Sequence, residues 1–161
     1  TGKSWLSRKL SIHYNALWIP EYARFYVERL QRDYKKNDVL HIANKQAELE
    51  NQFHFFSNDL FIADTGLIIT KVWLEHVFGS SPVWIDEYIK SQKNTYYLLC
   101  YYDLPWEHDP VRENKNLRSL FFDWYKKELE YYKLDYAVIK GTGDKREENA
   151  IKKLNSALYD C

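Results

Sequence analysis

Thr1-Gly2-Lys3-Ser4 stands directly before a stretch with helical spacing, in which Leu6 and Leu10 lie one turn apart with Arg8 and Lys9 between them. The order matches the end of G-x-x-x-x-G-K-[ST]. In that motif backbone N–H groups and a helix N-terminus hold phosphates, the lysine reaches the β- and γ-phosphates, and the hydroxyl binds Mg²⁺. A bare Gly-Lys-Ser is also a common surface helix start with serine as its cap, so the loop needs a second feature. Asp64 supplies one, because it ends the apolar run Leu60-Phe61-Ile62-Ala63 in the pattern of a buried strand that delivers a second Mg²⁺-organising carboxylate. A helix cap before Leu67 is the plainer role for Asp64. Taken together in an alternating chain, the two features favour a phosphate loop.

The elements that must position these residues follow from periodicity and breakers. A helix starts near residue 3, Ala16 to Ile19 is a short buried strand stopped by Pro20, and Tyr22, Phe25, Tyr26 and Leu30 predict a helix over Glu21–Arg32. Asn37 or Asp38 could cap a third helix with Val39, Ile42, Ala43, Gln46, Ala47, Glu50 and Phe53 on one face. Helices over Leu67–Phe78 and Val83–Ser91 are separated by the breakers Gly79-Ser80-Ser81-Pro82. Thr95–Tyr101 reads as a strand, Leu117 to about Lys133 as a helix and Tyr136–Ile139 as a last strand. The turn Gly141-Thr142-Gly143 and a helix over Asp144–Leu158, capped by Asp144, close the chain. Strands alternating with helices predict a parallel sheet covered on both faces, with ligands beyond the carboxyl ends of the strands. Glu21, Asp64, Asp103 and Gly141 each follow a strand and so point at one crevice.

With 161 residues and no linker or repeat, the expectation is a single domain spanning 1–161. Hydrophobic residues at 45% and charged residues at 29% exclude a disordered or fibrous chain. Lys+Arg and Asp+Glu are both 23, so no global basic field recruits nucleic acid or an anionic membrane. No apolar run approaches the length of a membrane span. Cys100 and Cys161 have no disulfide or zinc spacing and the five histidines show no metal-ligand pairing, so a reducing, cytoplasmic setting without zinc is expected. Aromatics at 17% exceed what a core requires, and some are expected to line a binding site. The phosphate-loop motif also demands a strand and a first glycine ahead of Thr1, in the middle of the sheet. The expectation is therefore a fragment lacking its N-terminal strand.

With the loop, Glu21 and Asp64 in place, the chain resembles the ribosylnicotinamide kinase domain of NadR-type proteins and the AAA-type nucleotide-binding proteins related to it. The segments that carry the resemblance are Thr1 to Ser4, Glu21 to Val27, Gln46, Phe61 to Thr65, then Asp103, Trp106, Asp109 and Arg112, and finally Gly141-Thr142-Gly143 with Arg146, Asn149 and Ala150. It implies a three-layer α/β P-loop NTPase fold of the nucleoside/nucleotide-kinase kind, with a parallel sheet and a helical lid at about 103–133. It also implies ATP and Mg²⁺ as cofactors and phosphoryl transfer to a small nucleoside, foremost nicotinamide riboside giving nicotinamide mononucleotide. The alternative is an ATP- or GTP-binding regulatory or interaction module that phosphorylates no small molecule. Three residues depart from the family pattern: Gly66 where a second acid tends to follow Asp-Thr, Trp5 where a small hydroxyl residue usually follows the loop serine, and Pro105 in place of another acid.

On this resemblance Gly2, Lys3 and Ser4 hold the phosphates, and Ser4 and Asp64 hold the metal. Glu21 takes the acceptor's hydroxyl proton, a role weighed against a plain first-turn glutamate. Arg24, one turn on, orients Glu21 or binds the acceptor, or is solvated. Gln46, polar on an apolar stripe, bonds the acceptor or another part of the core. Trp106 between Asp103 and Asp109 suits a flat cationic ring such as the pyridinium of nicotinamide riboside, or else pins its loop to the core. Arg112 and Arg118 lie at the position of a lid that neutralises transferring charge, with Arg112 expected to reach the phosphates. Gly141, Thr142 and Gly143 lie where this class holds adenine, or form a simple strand-to-helix turn.

Overall fold

The computed structural model describes residues 2–56, 60–92, 94–105 and 117–159. The elements run α1 (Lys3–His13), β1 (Leu17–Ile19), α2 (Tyr22–Val27), α3 (Lys36–Phe56), β2 (Phe61–Ala63), α4 (Leu67–Phe78), α5 (Val83–Ser91), β3 (Tyr97–Cys100), α6 (Arg118–Tyr131), β4 (Tyr136–Ile139) and α7 (Gly143–Tyr159). β1 pairs in parallel with β2, Leu17 opposite Phe61, and β3 pairs in parallel with β4, Tyr97 opposite Tyr136. The expected parallel pairing is present, but in two two-stranded pieces, and no strand among the described residues bridges them.

The β3–β4 pair separates two cores because successive strand side chains point to opposite faces. Tyr97, Leu99 and Tyr136 pack against Val39, Ala43, Ala47, Leu67, Ile68, Leu74, Ile85, Ile89 and Leu129, contributed by α3 to α6. Leu98, Cys100, Ala137 and Ile139 turn the other way, onto Leu6 and Leu10 of α1 and Ala150 and Leu154 of α7. This gives helices, strands and helices in three layers, the expected α/β architecture. Ile62 of β2 joins the second core, and Trp18 of β1 donates its indole N–H to Ser7 Oγ at 3.0 Å, so α1 lies against both strand pairs.

Several boundaries differ from expectation for local reasons. α2 ends at Val27 rather than Arg32, closing in tight turns from Arg29 N to Tyr26 O and from Leu30 N to Val27 O. The chain then bends so that Arg32 reaches Asp38 at 2.7 Å. Neither Asn37 nor Asp38 caps α3. The helix starts at Lys36, and Asp38 in its first turn accepts the Lys35 N–H at 2.7 Å, closing the N-terminus from inside. β3 is shorter at its start than Thr95. α7 begins at Gly143, which places Asp144 within the first turn instead of at the cap.

Candidate functional site

Gly2 opens α1 in the left-handed conformation, with φ 69°. A Cβ there would also lie 2.6 Å from Leu104 Cδ1, so position 2 accepts only glycine without displacement. The first turn of α1 has no acidic residue and no side-chain cap, which leaves its N–H groups and dipole turned toward an anion. Ser4 is exposed on that turn. Lys3 Nζ is buried and lies 3.9 Å from Glu21 Oε1, which β1 delivers at its carboxyl end. The Glu21 side chain is only 7% exposed, and Arg24 Nε stands 3.9 Å from its other oxygen while reaching Glu28 at 3.7 Å.

The β1–β2 pairing brings Asp64 to the same corner. Its N–H continues the ladder to Ile19 O at 2.9 Å, and its side chain is buried beside the carboxyl end of β1. Gln46 of α3 is 2% exposed and donates its amide to Thr65 O at 2.9 Å and to Glu50 Oε1 at 3.1 Å. Its amide nitrogen is therefore engaged within the protein. A Cβ at Gly66 would meet the Tyr97 ring at 3.4 Å.

The β3 and β4 ends close the opposite side. Asp103 accepts Gly141 N–H at 2.7 Å and Arg146 Nη2 at 2.7 Å, so its carboxylate ties two strand ends together. Gly141, with φ 103°, sits where a Cβ would press on Arg146 N and Asn149 Nδ2 at 3.4 Å. Thr142 and Gly143 lie exposed at the start of α7. Arg118 donates to Tyr102 O and Leu104 O, fixing the chain after β3 to the start of α6. Trp106, Asp109 and Arg112 lie outside the described residues. Trp5 is 40% exposed with Lys9 Nζ 5.6 Å from its ring, away from the strand ends.

Cys100 marks where the two sides meet. Burial pushes its thiol up, opposed by the charges of Arg146 and Lys3 and reinforced by Asp64. Arg146, to which the sequence pattern assigns no role, is 0% exposed and donates to Gly141 O at 2.9 Å, Tyr101 O at 2.7 Å and Asp103. Its signal is spacing. Arg146, Ala150 and Leu154 lie one turn apart on the buried stripe of α7.

A left-handed glycine before a helix, a buried lysine and a strand-end aspartate thus meet at one corner of the fold. The profile of an AAA domain family matches residues 1–146, and the chain belongs to that family. Among solved structures, the crystal structure of NadR protein in complex with NR superposes with a TM-score of 0.80 at 21% identity, over 96% of this chain and 47% of that one. The likeness is one of fold, and the chain spans about half the length of that neighbour. No curated protein matches it in sequence. No helix among the described residues is long and apolar enough to cross a membrane.

Proposed function

We propose that the protein is an ATP-dependent kinase of small nucleosides, acting foremost on nicotinamide riboside. The observation that carries this reading is the approach of Lys3 Nζ to Glu21 at 3.9 Å beside Asp64. A module that only binds nucleotide needs the lysine and the aspartate. A buried carboxylate facing the lysine adds a group able to take a proton from an acceptor. The fold shared with NadR, solved with NR, supports the choice of acceptor.

The residues present suit Mg²⁺. Ser4 and Asp64 offer hard oxygen donors, and Asp64 Oδ1 is buried at the strand end. Bound there, Mg²⁺ would neutralise charge on the β- and γ-phosphates. The N–H groups of α1 hold the phosphates, which draw Lys3 away from Glu21. Glu21 then accepts the proton of the acceptor's 5′-hydroxyl, whose oxygen bonds to the γ-phosphorus as the bond to the β–γ bridging oxygen breaks and ADP leaves. Arg24 holds the Glu21 carboxylate toward the acceptor. Arg112 and Trp106 complete the reading as lid arginine and ring-stacking face, a cationic ring gaining about 1–2 kcal/mol on an aromatic plane.

A panel assay with ATP and nucleosides tests the proposal. Nicotinamide riboside should be phosphorylated ahead of uridine and cytidine, and Glu21→Gln should lower kcat by about a hundredfold or more with little change in KM. ATP binding without phosphorylation of any nucleoside would favour the regulatory module.

A further inference from the structure

The turn carrying Asp64 is fastened from two sides. β1 holds it through the Asp64 N–H to Ile19 O, and α3 holds it through Gln46 Nε2 to Thr65 O, both at 2.9 Å. A glutamine amide is symmetric in shape but opposite in chemistry at its two ends, and a flipped Gln46 would set its oxygen against the Thr65 carbonyl. The Thr65 carbonyl favours the nitrogen, and a second acceptor reinforces that choice. Glu50, one turn along α3 and 7% exposed, accepts from the same Nε2 at 3.1 Å, and its other oxygen accepts Tyr88 O–H of α5 at 2.9 Å. Burial pushes the Glu50 carboxyl up, opposed only by the bonds from Gln46 and Tyr88. A buried carboxyl costs free energy that a leucine would not.

We propose that Glu50 is a positioning residue: by fixing the orientation of Gln46 it sets the Asp64–Thr65 turn, and with it the carboxylate offered to the nucleotide's metal ion. The proposal rests on the kinase reading above for its effect on turnover, but not for its effect on metal-dependent nucleotide binding. The chain Tyr88, Glu50, Gln46, Thr65 runs from the helical core to the strand end. Gln46 in this arrangement acts on the turn from behind.

Glu50→Leu removes the second acceptor, whereas Glu50→Gln keeps an oxygen for Gln46 and an amide N–H that can donate to the Tyr88 hydroxyl oxygen. Calorimetric titration of ADP at varied Mg²⁺, alongside ATP kinetics, should show Glu50→Leu needing about tenfold more Mg²⁺ with kcat reduced about tenfold and KM for ATP unchanged, and Glu50→Gln within about threefold of the parent. A folded Glu50→Leu with the parent's Mg²⁺ dependence overturns the proposal, as does equal loss in both variants. Should Glu50→Leu fail to fold, Tyr88→Phe replaces it, expected to shift Mg²⁺ dependence in the same direction and overturning the proposal if it does not. A parent protein that phosphorylates no nucleoside sinks the kinase reading alone, because the Mg²⁺ dependence of ADP binding still reads the position of Asp64.

Discussion

Among the described residues, Arg146 and Lys71 are both buried, and their partners differ in kind. Arg146, at the strand ends, spends its planar donors on Tyr101 O, Gly141 O and Asp103. Lys71, in the helical layer, is 7% exposed and faces Glu75 at 2.7 Å, Glu128 at 2.9 Å and Asp86 at 4.0 Å, while Tyr132 O–H donates to Asp86. Arginine's fixed fork suits backbone oxygens at set positions, and lysine's compact charge suits several mobile carboxylates. Burial opposes the charge on Lys71, and Glu75 and Glu128 more than restore it, holding the ammonium above its ordinary value. The difference separates two tasks. Arg146 ties the ends of β3 and β4 to the start of α7, and Lys71 fastens α4, α5 and α6.

Replacing each cation tests that division. Arg146→Met strands two carbonyls and a carboxylate, and is expected to cost about 3–5 kcal/mol and to abolish ADP binding in whatever fraction stays folded. Lys71→Met should cost less, about 2 kcal/mol, since Glu75 and Asp86 remain partly exposed at 24% and 31% and recover water. Its ADP affinity should equal the parent's. Urea unfolding and calorimetry on both variants decide the matter, and an Arg146→Met protein that binds ADP normally would erase the distinction.

The smallest expected effects are in pH dependence, and they sharpen the picture of the helical layer. The bond from Arg32, aided by the Lys35 N–H, holds the Asp38 carboxyl well below the usual carboxylate range. A lowered folded value stabilises above the unfolded pKa of about 3.9, and that stability is lost as pH falls below it. Glu50 has the opposite sign. Its raised value means the folded chain keeps a proton that the unfolded chain releases, so its contribution to stability declines as pH rises above about 4.3. Urea midpoints between about pH 2 and pH 8 should show Asp38→Asn flattening the acid limb and Glu50→Gln flattening the decline on the other side. Coincident curves for parent and variants would contradict both assignments.

The sequence carries the elements whose signals are local. α4 and α5 lie at Leu67–Phe78 and Val83–Ser91 as expected, because apolar periodicity and the Gly79-Ser80-Ser81-Pro82 breakers act within a few residues. The positions of Glu21, Asp64 and Asp103 at strand ends follow from short apolar runs in the same way. What periodicity does not carry is partnership across the fold. α2 stops early because Arg32 serves Asp38, and Asp103 closes on Arg146 across 43 positions of chain. Lys71 sits in the apolar run of α4 and Arg146 in the polar start of α7, so one reads as an intrusion and the other as surface. Only spacing against buried neighbours, Leu67 with Lys71 and Arg146 with Ala150, hints that both face inward.

If the turn at Gly2-Lys3-Ser4 holds phosphates, Lys3 serves their charge instead of packing. Calorimetric titration of ATP with Mg²⁺ into the parent and Lys3→Ala measures it directly. Lys3→Ala should lose about a hundredfold or more in affinity, roughly 2.7 kcal/mol, with the thermal midpoint of the ligand-free protein unchanged. Equal ATP affinity in the two proteins would contradict that role of Lys3.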